Sequence, residues 1–188
     1  MITGIPWRLP VFDGNVKIMT RFNKRNRYYI FLLLSLFWMG LIFYFSHQIA
    51  DESQKLSDGI LYRIQNILTF IFPNADDDFL SFVVRKSAHA FEYFLLSILL
   101  FLTNREVVRS KNRDVMRSMF YIRLYILPWL YATLYAVTDE IHQYFIPGRS
   151  CELRDVCMDS GGAVIGTLFM VLCGRIAYNR ILKRTTLS

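Results

Sequence analysis

Residues 137–166 read VTDEIHQYFIPGRSCELRDVCMDSGGAVIG, and the fold follows from how this stretch is read. It leaves one apolar segment, turns at Pro147-Gly148 and enters the next. It carries the carboxylates Asp139, Glu140, Glu152, Asp155 and Asp159, with Arg149, Arg154, His142 and Gln143. Residues at i, i+3, i+4 and i+7 share a helix face. Asp139 and Gln143 are therefore one turn apart, with Glu140 adjacent. Beyond the turn, Asp155, Asp159, Gly162 and Gly166 form one stripe. Gly162-x-x-x-Gly166 is a small-x-x-x-small face that lets two helices approach closely. The two aspartates on that stripe are expected in the interior, because ionisable groups at membrane depth rarely face lipid.

The chain around this stretch is apolar and basic. It has 188 residues, 54% of them hydrophobic and 16% aromatic, with a net charge of +7 and a mean hydropathy of +0.29. A bilayer span takes about 20 apolar residues, so there is room for a few spans and for no large soluble domain. The basic residues flank apolar runs, as topology signals do, so nucleic acid is not expected as a partner. Cys151, Cys157 and Cys173 lack C-x-x-C spacing, and no zinc or redox motif is expected. For Cys151 and Cys157, buried free thiols are favoured over a disulfide.

Four spans are expected. Residues 1–27 form a basic cytoplasmic tail, and residues 28–46 an uncleaved first span. Residues 46–58 read as a polar outer loop. Ile60, Leu61, Ile64, Ile67, Leu68 and Ile71 then recur at offsets of three and four, which predicts an amphipathic helix ending at Pro73. It either lies in the outer interface or packs as an ordinary helix. Asn74 to Asp78 is a helix start with acids in its first turn. That helix enters the membrane over residues 87–103. Residues 104–118 are a basic inner loop. Residues 119–138 are the third span, with Arg123 snorkelling at its inner end and Pro128 as a source of a kink. Ser150 is placed to cap the last helix, whose span covers residues 161–178. Residues 179–188 are a second basic tail. The fold class is all-α: a small polytopic membrane bundle of four transmembrane helices plus one interfacial amphipathic helix, over residues 28–178. Both termini are expected in the cytoplasm and the protein in the plasma membrane.

A second polar strip faces the first. Lys86, His89 and Tyr93 share one face, with Glu92 beside them. In order, Lys86-x-x-His89-x-x-Glu92-Tyr93, then Asp139-Glu140-x-x-Gln143 with Pro147-Gly148-Arg149, then Asp155-x-x-x-Asp159-x-x-Gly162-x-x-x-Gly166 resembles the VanZ-like family. Phe45-Ser46 with Gln48 and Ser53 is also similar, although His47 stands where the family often has a small polar residue. The resemblance covers about residues 43–167. It implies a small integral membrane protein of the cell envelope, connected with resistance to teicoplanin, a lipid-tailed glycopeptide antibiotic. It supplies no reaction.

Four readings of the polar set stay open. In the first, ion pairs between helix ends serve only to fix the bundle. Alternatively, a cavity open to the outer side binds a membrane lipid, a lipid-linked cell-wall intermediate or a lipoglycopeptide. Lys86 and Arg149 then grip phosphate or carboxylate, while Tyr93, Asp139, Glu140, Gln143, Asp155 and Asp159 complete the site. In an enzyme reading His89 is a general base oriented by Glu92 or Asp155, with Glu140 as a further acid–base group. No G-x-S-x-G, Walker or HExxH motif names a reaction, and no cofactor is expected. A divalent-metal variant would use His89, Glu92, Asp139 and Asp155, without a ligand spacing that demands it. A transporter is disfavoured, because no inverted repeat is present.

Overall fold

The computed structural model describes residues 24–48, 50–110 and 122–185, and the described residues form α-helices with no strand. Most of the expected N-terminal tail, part of the basic inner loop and the last three residues lie outside them. Helix α1 is Lys24–Ser46, α2 Ala50–Ile71, α3 Asp77–Ser110, α4 Leu127–Gln143 and α5 Leu153–Thr185. A π-helical turn, Ile122–Ile126, leads into α4.

Among the described residues, two helices are long and apolar enough to cross a membrane. They cover Arg25–Ser46, with mean hydropathy 2.0, and Leu153–Ala177, with mean hydropathy 1.8. Only 22% and 28% of those windows are buried inside the protein. A core helix of a soluble protein would be mostly covered. Here Leu33, Phe37, Ile165 and Leu168 are all at least 60% exposed, a continuous apolar exterior of the kind that meets lipid.

Helix α2 starts ten residues before the expected Ile60, so residues 50–58 are helix and not an outer loop. The polar run is the face of α2 turned to α3. Asp58 accepts hydrogen bonds from Gln54 at 3.0 Å and from Ser81 at 2.6 Å. Gln54 also donates to Ser81 at 2.9 Å and accepts from Arg85 at 3.2 Å. On the other side Tyr62 and Phe70 are more than 80% exposed. Helix α3 begins as expected: the Asp76 carboxylate accepts the Phe79 N–H at 2.8 Å, with Asp77 and Asp78 in the first turn. It runs on past Thr103, where Glu106, 2% exposed, pairs with Arg27 at 3.4 Å.

Pro128 lies in the first turn of α4, where its missing N–H costs nothing. It opens the helix and does not kink it. Between α4 and α5 the Arg149 N–H reaches the Ile146 carbonyl at 3.1 Å, and Gly148 has φ 78°. That is a type II turn with Pro147 at its second position and glycine at the third, where φ must be positive. Helix α5 starts at Leu153, close to the start expected after Ser150, and runs without a break into the apolar residues from 161 on. Ser150 does not cap it; its hydroxyl bonds the Glu152 carboxylate at 2.9 Å. Cys151 and Cys157 are exposed free thiols, not buried ones.

The core joins Ile42 of α1, Tyr93 and Leu96 of α3, Ala132 and Ala136 of α4, and Ala163 of α5. Small residues keep the backbones close. Gly162 packs against the Ala90 backbone, and Gly166 against Phe94 and Ser97. The glycine stripe is therefore the α3–α5 contact, and it aims Asp155 and Asp159 at the polar residues of α3.

Candidate functional site

The polar residues of α3, α4 and α5 gather at the end of the bundle where α1 stops and α5 begins. Four elements build the site. Lys86 Nζ pairs with Asp155 Oδ2 across α3 and α5, and both side chains are partly exposed, at 12% and 16%. One turn on, His89 Nδ1 lies 3.7 Å from Glu92 Oε2. That is ion-pair distance but long for a hydrogen bond. The Trp38 indole of α1 donates to the Glu92 backbone carbonyl at 2.9 Å and fixes this turn. Tyr93 is fully buried.

From α4, Asp139 Oδ2 accepts from Ser46 at 2.7 Å and from Gln143 at 3.0 Å. Gln143 Oε1 in turn accepts from Arg149 Nη1 at 3.0 Å, and Arg149 Nη2 donates to the Phe45 carbonyl at 3.4 Å. Ser46 thus ties the end of α1 to α4, and the Phe45 carbonyl ties it to the 144–152 loop. Glu140 Oε2 accepts the Glu152 N–H at 3.0 Å, one turn before α5 is fully formed. Burial pushes the Glu140 carboxyl above its ordinary range, against the lowering effect of that N–H. Burial lowers Arg149 below the ordinary guanidinium value, with Asp139 opposing.

Several oxygens here have no hydrogen-bond partner within the protein, Glu92 Oε2 having only the His89 approach at 3.7 Å. They are Glu92 Oε2, Asp139 Oδ1, Asp155 Oδ1 and both oxygens of Asp159, together with the Tyr93 hydroxyl. Asp159 is 1% exposed and Asp139 3%. Buried polar groups are overwhelmingly hydrogen-bonded, so this set is unusual for a structural network. Among the described residues, Lys86 and Arg149 are the cations bonded within this cluster, and both have internal partners.

All of the sequence-predicted site residues reach this one region. The metal variant does not assemble: among the described residues, no group of three or more His, Cys, Asp or Glu is placed to hold a metal ion. Sequence reading missed the supports. Trp129 and Thr133 of α4 bond Ser160 of α5 at 3.0 and 2.9 Å, and Tyr135 donates to the Met39 carbonyl at 2.7 Å. His47 meets His142 at 3.2 Å. None of these pairs is close in sequence, so no local spacing announces them.

No curated protein and no solved structure matches the chain. A family model does, over residues 31–174, which spans the first apolar helix, the α3 strip, the α4 carboxylates and the glycine stripe of α5. The chain belongs to the VanZ/LLP1 family, and it is a VanZ-like membrane protein.

Proposed function

We propose that this protein is a four-span protein of the plasma membrane whose polar chamber opens to the outer face. There it holds the head group of a lipid or a lipid-linked cell-wall intermediate. Holding it raises tolerance to lipid-tailed glycopeptides such as teicoplanin. The observation that carries this reading is the set of buried acceptors without protein partners, contributed by three helices. A purely structural network would have satisfied them, since a half-satisfied polar network is worse than an apolar core. Expression of the chain in a susceptible host is expected to raise the inhibitory concentration of teicoplanin. No rise with correctly inserted protein would sink the proposal.

The orientation rests on the basic clusters. Residues 17–27, 105–117 and 175–184 fall on one side only if α1, α3, α4 and α5 all cross. Gly14, Asn112 and Ser188 are then cytoplasmic, while Asp77 and Gly148 are external, and α2 lies in the outer interface on its exposed face. Single cysteines at these positions, in a cysteine-free background, test this with an impermeant reagent. Labelling of position 112 from outside intact cells would reverse the topology.

An alternative has one observation in its favour: the His89–Glu92 approach at 3.7 Å suits a general base and its orienting carboxylate. In that case a trace of protein would convert an excess of a lipid-linked head group, whereas a binder saturates.

A further inference from the structure

We infer that the chamber's ligand presents an ammonium group, received among Tyr93, Asp139 and Asp159. This rests on the head-group reading above and names the chemistry of that head group. The buried atoms of the site that lack a protein hydrogen-bond partner are nearly all carboxylate oxygens, which accept when ionised: Glu92 Oε2, Asp139 Oδ1, Asp155 Oδ1 and both oxygens of Asp159. The exception, the Tyr93 hydroxyl, accepts as well as donates. The complement of such a surface is a group of donors.

Charge points the same way. Asp159 lies within electrostatic reach of Asp139, Glu140, Asp155 and Glu92. Lys86 is held by Asp155, and Arg149 by Gln143 and the Phe45 carbonyl, both at the rim. Leaving buried carboxylates without a cation is costly, and a ligand cation relieves that cost. A divalent ion is a poor fit, because it wants about six oxygens on one centre and no three carboxylates converge here. A phosphate is a worse one, since it would set acceptors against acceptors. An ammonium offers three rotatable donors and tolerates acceptors spread over three helices. It can belong to a lipid head group or to a free amine.

The protein in detergent is mixed with equal amounts of three lipids of matched chains, and the retained lipid is read by native mass spectrometry. Phosphatidylethanolamine carries N–H donors. Phosphatidylcholine keeps the charge without donors, and phosphatidylglycerol has no amine. Phosphatidylethanolamine is expected to be retained about tenfold over the other two, a ratio that corresponds to ~1.4 kcal/mol. Asp159→Asn should abolish the preference, and Tyr93→Phe, which leaves the charge untouched, should reduce it severalfold. Displacement by soluble glycerophosphoethanolamine would show that the amine alone is recognised, and its failure would assign the ammonium to a lipid; either agrees with the inference. Equal retention of the three lipids, or preference for phosphatidylglycerol, overturns the ammonium while a head-group site stands. No saturable retention of any lipid overturns both.

Discussion

Gly162→Leu is expected to leave almost no folded bundle. A Cβ at position 162 would lie 2.9 Å from the Ala90 carbonyl carbon and 3.1 Å from its Cα. These are backbone atoms, so no rotamer change relieves the clash, and α3 and α5 must move apart. Overpacking a core typically costs about 1–3 kcal/mol, and a helix-to-helix backbone clash belongs at or above the top of that range. The damage is also functional. Ala90 follows His89, and Gly162 lies one turn from Asp159, so separation also displaces the polar cluster. Gly166→Leu meets the Phe94 carbonyl carbon at 3.1 Å and the Ser97 side chain. Because part of that obstacle can rotate, its effect should be smaller. Gly161→Leu has nothing within 4 Å and Leu168→Ala removes an exposed side chain; both should melt close to wild type. Melting temperatures in one detergent give the order. If Gly162→Leu and Gly161→Leu melt alike, the α3–α5 face is not where the glycines put it.

That face was legible because the spacing of small residues is a local property. So were the turn at Pro147-Gly148 and the start of α3, where Asp76 does what the sequence suggests. The start of α2 was not legible, for one reason. Its first turns are polar, and polarity reads as loop when no partner is in view. Gln54 and Asp58 are polar because Ser81 and Arg85 face them from α3. Residues 153–160 are polar because Lys86, Trp129 and Thr133 face them.

The site divides in the same way. Asp139 and Gln143 are four residues apart, and their bond follows from helix geometry. Lys86 and Asp155 are separated by 69 residues, and Ser46 and Asp139 by 93. Those pairings depend on which helices are neighbours and how each is rotated, which spacing alone does not determine. Sequence reading grouped residues that the fold brings to one end of the bundle. It did not say that Lys86 and Arg149 would already have partners, nor that the atoms left over would be acceptors.

Lys86→Gln and Asp155→Asn are expected to abolish teicoplanin tolerance while leaving folded protein at near-normal levels. Removing one partner of a fully buried ion pair costs about 3–5 kcal/mol, because the other charge is stranded. This pair is not fully buried: 12% and 16% of the two side chains are exposed. Water can reach the stranded group, and exposed pairs are worth about 0–1 kcal/mol, so a loss of about 1–2 kcal/mol is expected. The double variant separates site from scaffold. If the pair only ties α3 to α5, each single variant should fold poorly, and Lys86→Gln with Asp155→Asn should restore both folding and tolerance, since neither charge is then unpaired. If the pair forms part of a site, the double variant should fold as well as wild type and remain inactive. A thermal melt and an inhibitory concentration, measured on the same four proteins, give a double-mutant cycle for stability beside one for function. Coupling in the melts alone marks a strut that also borders a site. Recovery of tolerance in the double variant would make it a strut and nothing more, and the chamber would then lose its claim to the function.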